Sequence, residues 1–125
     1  MGCTIIHLME TFEDLNAWKV SMDLIEEIYR ITQKFPHEER YGLSQQMRRA
    51  AASIAANIAE GFGRFTYPDK ANKYTIARGE CAEVRAFLLI ATRLGLMEKE
   101  SRALALTNDA GRLLNGLIKA CKSRT

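Results

Sequence analysis

The sequence predicts an all-α chain folded as an antiparallel up-down-up-down four-helix bundle. Three observations lead there. Four segments of about twenty residues repeat apolar side chains every three or four positions. Short stretches carrying Pro36, Gly42, Gly63, Pro68 and Gly95 separate or bound them. The alternation of Val, Thr and Tyr between Asn-Gly turns that would mark strands is absent.

The first helix is expected over residues 15–34, with Asp14 as its N-cap and Pro36 closing its end. Leu15, Trp18, Met22, Ile25 and Tyr29 form one apolar stripe, and Leu24, Ile28, Ile31 and Phe35 form another beside it. Together they are wider than the usual buried stripe of a surface helix, which suggests cover on two sides, by the bundle and by another subunit. The second helix is expected over residues 44–62. Its run from Ala50 to Ala59 holds six alanines, two isoleucines, one serine and one asparagine, so helix propensity is high and neighbouring backbones can approach closely. The third runs from Pro68, a good first-turn residue, to Leu94, and Gly95 follows as a C′ glycine. Its buried face is Tyr74, Ala77, Cys81, Val84, Leu88 and Ala91. The fourth covers residues 101–122, with Ala103, Thr107, Ala110, Leu114, Leu117 and Cys121 inward and Leu104 and Ile118 alongside. Residues 1–13 are then an N-terminal extension and residues 14–123 the bundle.

The chain has 125 residues and a net charge of +3, unevenly spread. Residues 1–42 carry four Lys/Arg against eight Asp/Glu, residues 43–94 eight against four, and residues 95–125 six against three. One acidic helix thus precedes three basic ones, a distribution that suits an ordinary solvated surface or an acidic partner. Cys3, Cys81 and Cys121 share no CxxC spacing, and the last two fall at apolar helix positions. Reduced, buried thiols and a cytoplasmic location are expected. No run of eighteen apolar residues is present, and the N-terminal patch Ile5, Ile6, Leu8 and Met9 lacks the basic leader of a signal peptide.

No catalytic, metal or cofactor constellation emerges. His7 and His37 stand in expected loops without a nucleophile motif nearby, and the Glu-x-x-His pattern of bundle metal sites is missing. Gly61-Phe62-Gly63-Arg64 lacks the spacing of a phosphate loop and reads as a glycine-capped helix end. The more informative object is a polar line on the second helix. Gln46, Arg49, Ser53, Asn57, Glu60 and Arg64 step by three or four, and Glu83 on the third helix is a candidate partner for Arg49. Arg49, Ser53, Asn57, Glu60 and Glu83 are expected to form a structural network that sets helix register. If that network is buried, loss of Glu60 or Glu83 is strongly destabilising; if it is half-exposed, the loss is small.

Several blocks carry a family resemblance. They are Phe12-Glu13-Asp14-Leu15 with Trp18; Phe35-Pro36-x-x-Glu39-x-Tyr41-Gly42-Leu43; Gln46-x-x-Arg49-Ala50; and Ser53-Ile54-x-x-Asn57-Ile58-Ala59-Glu60-Gly61-x-Gly63-Arg64. The chain resembles, over residues 12–120, the four-helix-bundle proteins encoded in intervening sequences of bacterial large-subunit (23S) rRNA genes, which carry a ribosomal-protein label. Ile76-Ala77-x-Gly79 followed by Glu83 fits the same pattern, whereas Glu80 stands where the family often has serine. The resemblance implies a homopentameric barrel. It also implies kinship with the accessory protein of diversity-generating retroelements, a basic pentameric barrel that binds its reverse transcriptase and nucleic acid.

The expected function is a non-enzymatic oligomeric scaffold associated with RNA or DNA. Five copies at +3 carry a formal charge of +15, enough for salt-dependent attraction to a polyanion. Arg48, Arg64, Lys70, Lys73, Arg78, Arg93, Arg112 and Lys119 are the candidates for phosphate contact. No interleaving of aromatic and basic residues favours sequence-specific base reading. The alternative is a protein-interaction module that holds a client such as a reverse transcriptase and leaves nucleic acid alone.

Overall fold

Thr11 opens the first turn of the structure. Its hydroxyl accepts from the Glu13 N–H, while the Asp14 carboxylate accepts from the N–H groups of Glu10 and Thr11. This capping box encloses the short 3-10 turn Phe12–Asp14. Asp14 is therefore committed to that turn and is not the cap of the helix that follows, which has Leu15 at its N-cap and no side-chain cap. The computed structural model describes residues 10–39, 41–99 and 101–124, so Cys3 and His7 lie outside the described residues. Its long helices are α1 (Asn16–Thr32), α2 (Leu43–Gly63), α3 (Tyr67–Arg93) and α4 (Ser101–Ser123), with a second 3-10 turn at His37–Glu39. No strand occurs among the described residues.

Local chemistry explains the boundaries of α3. The Asp69 N–H donates to the Thr66 hydroxyl at 3.2 Å, and Pro68 sits in the first turn where its missing N–H costs nothing. At the other end Gly95 takes φ 76°, a left-handed value that favours glycine. The Leu96 N–H then reaches the Ala91 carbonyl and the Gly95 N–H reaches Thr92, which closes a Schellman motif.

The end of α2 differs from expectation. Gly63 is helical, Arg64 follows in extended conformation, and among the described residues only Gly95 has positive φ. The glycine that matters here is Gly61. A Cβ at that position would stand 2.6 Å from Tyr74 Cε1 and 3.2 Å from Lys73 Cβ. Gly61 therefore lets the buried Tyr74 ring of α3 lie directly on the α2 backbone. The terminal carbonyl of Phe62 is satisfied by Lys70 Nζ at 2.6 Å.

α1 packs on α2 and α4, α2 packs on α3, and α3 packs on α4. Leu24, Ile28, Met47, Ile54, Ile58, Val84, Leu88 and Leu114 are fully buried between them. Each large side chain of this kind contributes about 1.5–3 kcal/mol by leaving water. Ala50, Ala51, Ala77, Ala91, Ala103 and Ala110 are also fully buried, and their short side chains keep the helices close. The stripe of Leu24, Ile28 and Ile31 on α1, continued by Phe35 in the turn that follows, enters this core, whereas Trp18 and Ile25 are half-buried and Met22 and Tyr29 are exposed. Cys81 and Cys121 are free and buried, and burial pushes the Cys81 thiol up to about 12. No helix among the described residues is long and apolar enough to cross a membrane.

Candidate nucleic-acid interface

The structure divides the eight expected phosphate-contact residues by what each side chain touches. Arg48 lies against α1, where its Nε donates to Thr32 Oγ1 at 2.8 Å and its guanidinium stands 4.4 Å from the centre of the Tyr29 ring. Lys70 caps α2 through the Phe62 carbonyl. Lys73 and Arg64 both reach Glu60, at 3.0 and 3.5 Å. Arg93 and Lys119 are exposed on α3 and α4. Arg78 and Arg112 come together on the outer face of the α3–α4 pair, and Lys119 shares the Arg112 side of α4, being seven residues further on.

That face carries a cleft of about 370 Å³, lined by Arg78, Arg85, Arg112, Asn108, Asn115 and the small residues between them. Arg78 donates to Asn115 Oδ1 at 2.8 Å and Arg85 donates to Asn108 Oδ1 at 3.2 Å. The two arginines are seven residues apart on α3, as are the two asparagines on α4. Two rungs thus cross the cleft with a spacing of about 10 Å. Ala82 and Gly111 form its floor between the rungs, and a Cβ added to Gly111 would meet nothing within 4 Å. An asparagine carbonyl orients a guanidinium without cancelling its charge. Of the three arginines, Arg112 alone has a carboxylate partner among the described residues, Asp109 at 3.0 Å. Arg85 is the member that sequence reasoning missed; its heptad spacing from Arg78, matched by Asn108 and Asn115, was the available signal.

The polar line of α2 faces α3 but does not form one continuous network. Arg49 reaches Glu83 at 2.5 Å, Glu80 at 3.7 Å and Gln46 at 3.2 Å. Asn57 donates to the carbonyl and hydroxyl of Ser53, one turn back on its own helix. Glu60 forms a separate cross-link to Lys73. These groups lie at the rim of the seam: the side chains of Arg49, Glu60 and Glu83 are 49%, 55% and 38% exposed. The Glu60 carboxyl is held below its ordinary range, first by its hydrogen bond to Lys73. Glu80 is the exception in this line. Its Oε2 is buried without a hydrogen-bond partner, and burial together with the neighbouring Glu83 charge raises its carboxyl despite Arg49 at 3.7 Å. Among the described residues no group of three or more His, Cys, Asp and Glu could hold a metal ion.

The helical architecture that places this face has a solved relative. A protein of unknown function from the S23 ribosomal protein family of Bacteroides thetaiotaomicron superposes with a TM-score of 0.74 at 24% identity, covering 82% of this chain and 95% of its own. At that identity the likeness speaks for the fold. Among curated proteins none matches the chain. The sequence itself matches the profile of the 23S rRNA-intervening sequence protein family over residues 13–118. That stretch runs from the capping turn before α1 nearly to the end of α4, and on this ground the chain belongs to the 23S rRNA-intervening sequence protein family.

Proposed function

We propose that this protein is a non-enzymatic, self-associating scaffold that binds RNA or DNA through the α3–α4 face. The observation that carries this reading is the cleft with Arg78 and Arg85 held by asparagines, because their positive charge is positioned and not neutralised. Lys119 and Arg112 extend the same basic surface along α4. No aromatic ring lines the cleft, so binding acts on the phosphate backbone and not on the bases.

In this reading the helices run up-down-up-down. The pairs Arg49–Glu83 and Glu60–Lys73 rise along α2 as they fall along α3, and Arg78–Asn115 and Arg85–Asn108 do the same between α3 and α4. Copies of the chain close into a ring, five in number by the family resemblance. A ring needs two different complementary patches on each copy. The exposed Met22 and Tyr29 of α1 and the exposed Leu89, Ile90 and Leu94 at the end of α3 are candidates for them. The same apolar residues favour the second reading, a module that docks a protein client without touching nucleic acid.

Fluorescence anisotropy with a labelled RNA and a labelled duplex, beginning near 50 mM salt, tests the first reading. Affinity should fall steeply as salt rises. Absence of binding at low salt, or binding indifferent to salt, would overturn it. Light scattering before and after nuclease treatment reads the mass of the assembly and separates the two readings. A client protein retained after nuclease, with no nucleic-acid affinity in the purified chain, favours the module.

A further inference from the structure

We propose that a pocket at the α1–α2 end of the bundle is a binding site for a phosphate monoester. The pocket has a volume of about 300 Å³ and lies between the end of α1, the turn His37–Glu39 and the start of α2. It shares no lining residue with the α3–α4 cleft, and the proposal goes beyond the function argued above.

Three features converge on it. The first is the opening turn of α2, which borders the pocket through Ser44 and has Gly42 at its cap, no side-chain cap and no acidic residue within it. The opening N–H groups of a long helix are thus left free to donate to an anion, which the helix dipole also favours. The second is Ser44, which lines the pocket and is only 5% exposed, while its hydroxyl has no hydrogen-bond partner among the described residues. That hydroxyl is not sealed within the protein but opens on the pocket, where it is free to donate to a bound oxygen. The third is Arg48. Its Nε is fixed on Thr32 Oγ1, and the Thr32 hydroxyl is itself oriented by donating to the Ile28 carbonyl at 2.7 Å. With the guanidinium also stacked on Tyr29, its two terminal nitrogens are held in place and make no contact to a described acceptor.

Helix N–H groups, a hydroxyl and a guanidinium fork suit a tetrahedral dianion better than a planar carboxylate, because they approach from different directions. The pocket has room beyond the phosphate for the first atoms of its ester. One acidic group comes near: Glu39 Oε2 lies 3.5 Å from where a Gly42 Cβ would stand, outside the pocket lining. It weakens the site without filling it.

The test follows the backbone amides of Leu43, Ser44 and Gln45 by NMR in the full chain, at constant ionic strength with chloride as the control. The probes are inorganic phosphate, a nucleoside 5′-monophosphate, and one oligonucleotide with and without a 5′-phosphate. Saturable shifts are expected with inorganic phosphate. For inorganic phosphate, Ser44→Ala and Arg48→Lys should each weaken binding about tenfold, and Glu39→Gln should tighten it. If Arg48→Lys fails to fold, Ser44→Ala decides alone. A preference for the 5′-phosphorylated strand over the mononucleotide supports the site with a strand end as its source. Equal binding supports it with a small phosphate ester as source. No saturable shift by about 20 mM phosphate, or binding indifferent to Ser44→Ala, overturns the proposal.

Discussion

At the α2–α3 seam an arginine meets carboxylates; in the α3–α4 cleft two arginines meet amides. Arg49 lies between Glu83 and Glu80, and its charge is spent on joining helices. Arg78 and Arg85 are oriented by Asn115 and Asn108 at 2.8 and 3.2 Å, yet keep their charge. All four of these α3 residues stand within one helix, on two of its sides. The contrast shows that counting basic residues does not locate a polyanion surface. What separates the two regions is the chemistry of the group that orients each arginine: a carboxylate makes a structural cross-link, and an amide leaves a positioned, uncompensated cation, the kind of group the proposed interface needs.

The largest effect should come from emptying the cleft. Arg78→Ala with Arg85→Ala is expected to lower nucleic-acid affinity about 30- to 100-fold and to reduce the salt slope by about two, since each lost phosphate contact removes about one. Both side chains are surface groups, so unfolding by denaturant should move by no more than about 0.5 kcal/mol. Arg49→Ala, run beside it, should leave affinity within about twofold. Equal losses of affinity from the two sides of α3 would break the comparison.

The next effect concerns how closely the seam is drawn together. Gly61→Ala places a Cβ against the Tyr74 ring and Lys73 Cβ, neither of which is the free end of a flexible chain. The clash should outweigh the helix propensity that alanine gains, for a net loss of about 1–2 kcal/mol in chemical denaturation. A stabilised variant would mean that Tyr74 turns aside freely. Glu83→Ala should cost less, about 0.5–1 kcal/mol, because its pair with Arg49 is open to solvent on both sides. A loss above about 2 kcal/mol would mean that the seam is covered, as it would be between subunits.

These residues also mark where sequence reading stops. The buried face of α3, from Tyr74 through Ala77, Cys81, Val84 and Leu88 to Ala91, was legible because a 3.6-residue period is local. The alignment of Arg49, Ser53, Asn57 and Glu60 was legible for the same reason, and so was Glu83 as the partner of Arg49. The depth of that line was not, since exposure depends on what the neighbouring helix brings. The stretch from Gly61 to Arg64 was rightly read as a helix end, but the packing role of Gly61 was not legible, because its constraint comes from Tyr74, thirteen residues on and in another helix. Arg85 went unseen because an Arg–Asn rung exists only once the register between α3 and α4 is known. Periodicity reports which side of a helix is buried; it carries no information on what faces that side.

The smallest effect tests the electrostatics within the seam. Glu80 and Glu27 are both carboxylates beside arginine, with opposite consequences. Glu27 is hydrogen-bonded to Arg30 at 2.6 Å and also paired with Arg102, and its carboxyl is lowered below 4.5. Its contribution is present above the unfolded value and is lost as pH falls through the folded one. Glu80 is raised above 4.5, chiefly by burial. Its contribution is therefore complete below the unfolded value and is lost as pH rises through the folded one. Glu80→Gln removes that ionisation. Relative to the unsubstituted chain it should be close to neutral near pH 4 and more stable by up to about 1 kcal/mol near pH 7. Glu27→Gln should run the other way, with its deficit growing as pH rises. Parallel pH profiles for the two variants would mean that the 3.7 Å approach of Arg49 outweighs burial at Glu80, and that the seam neutralises every carboxylate it holds.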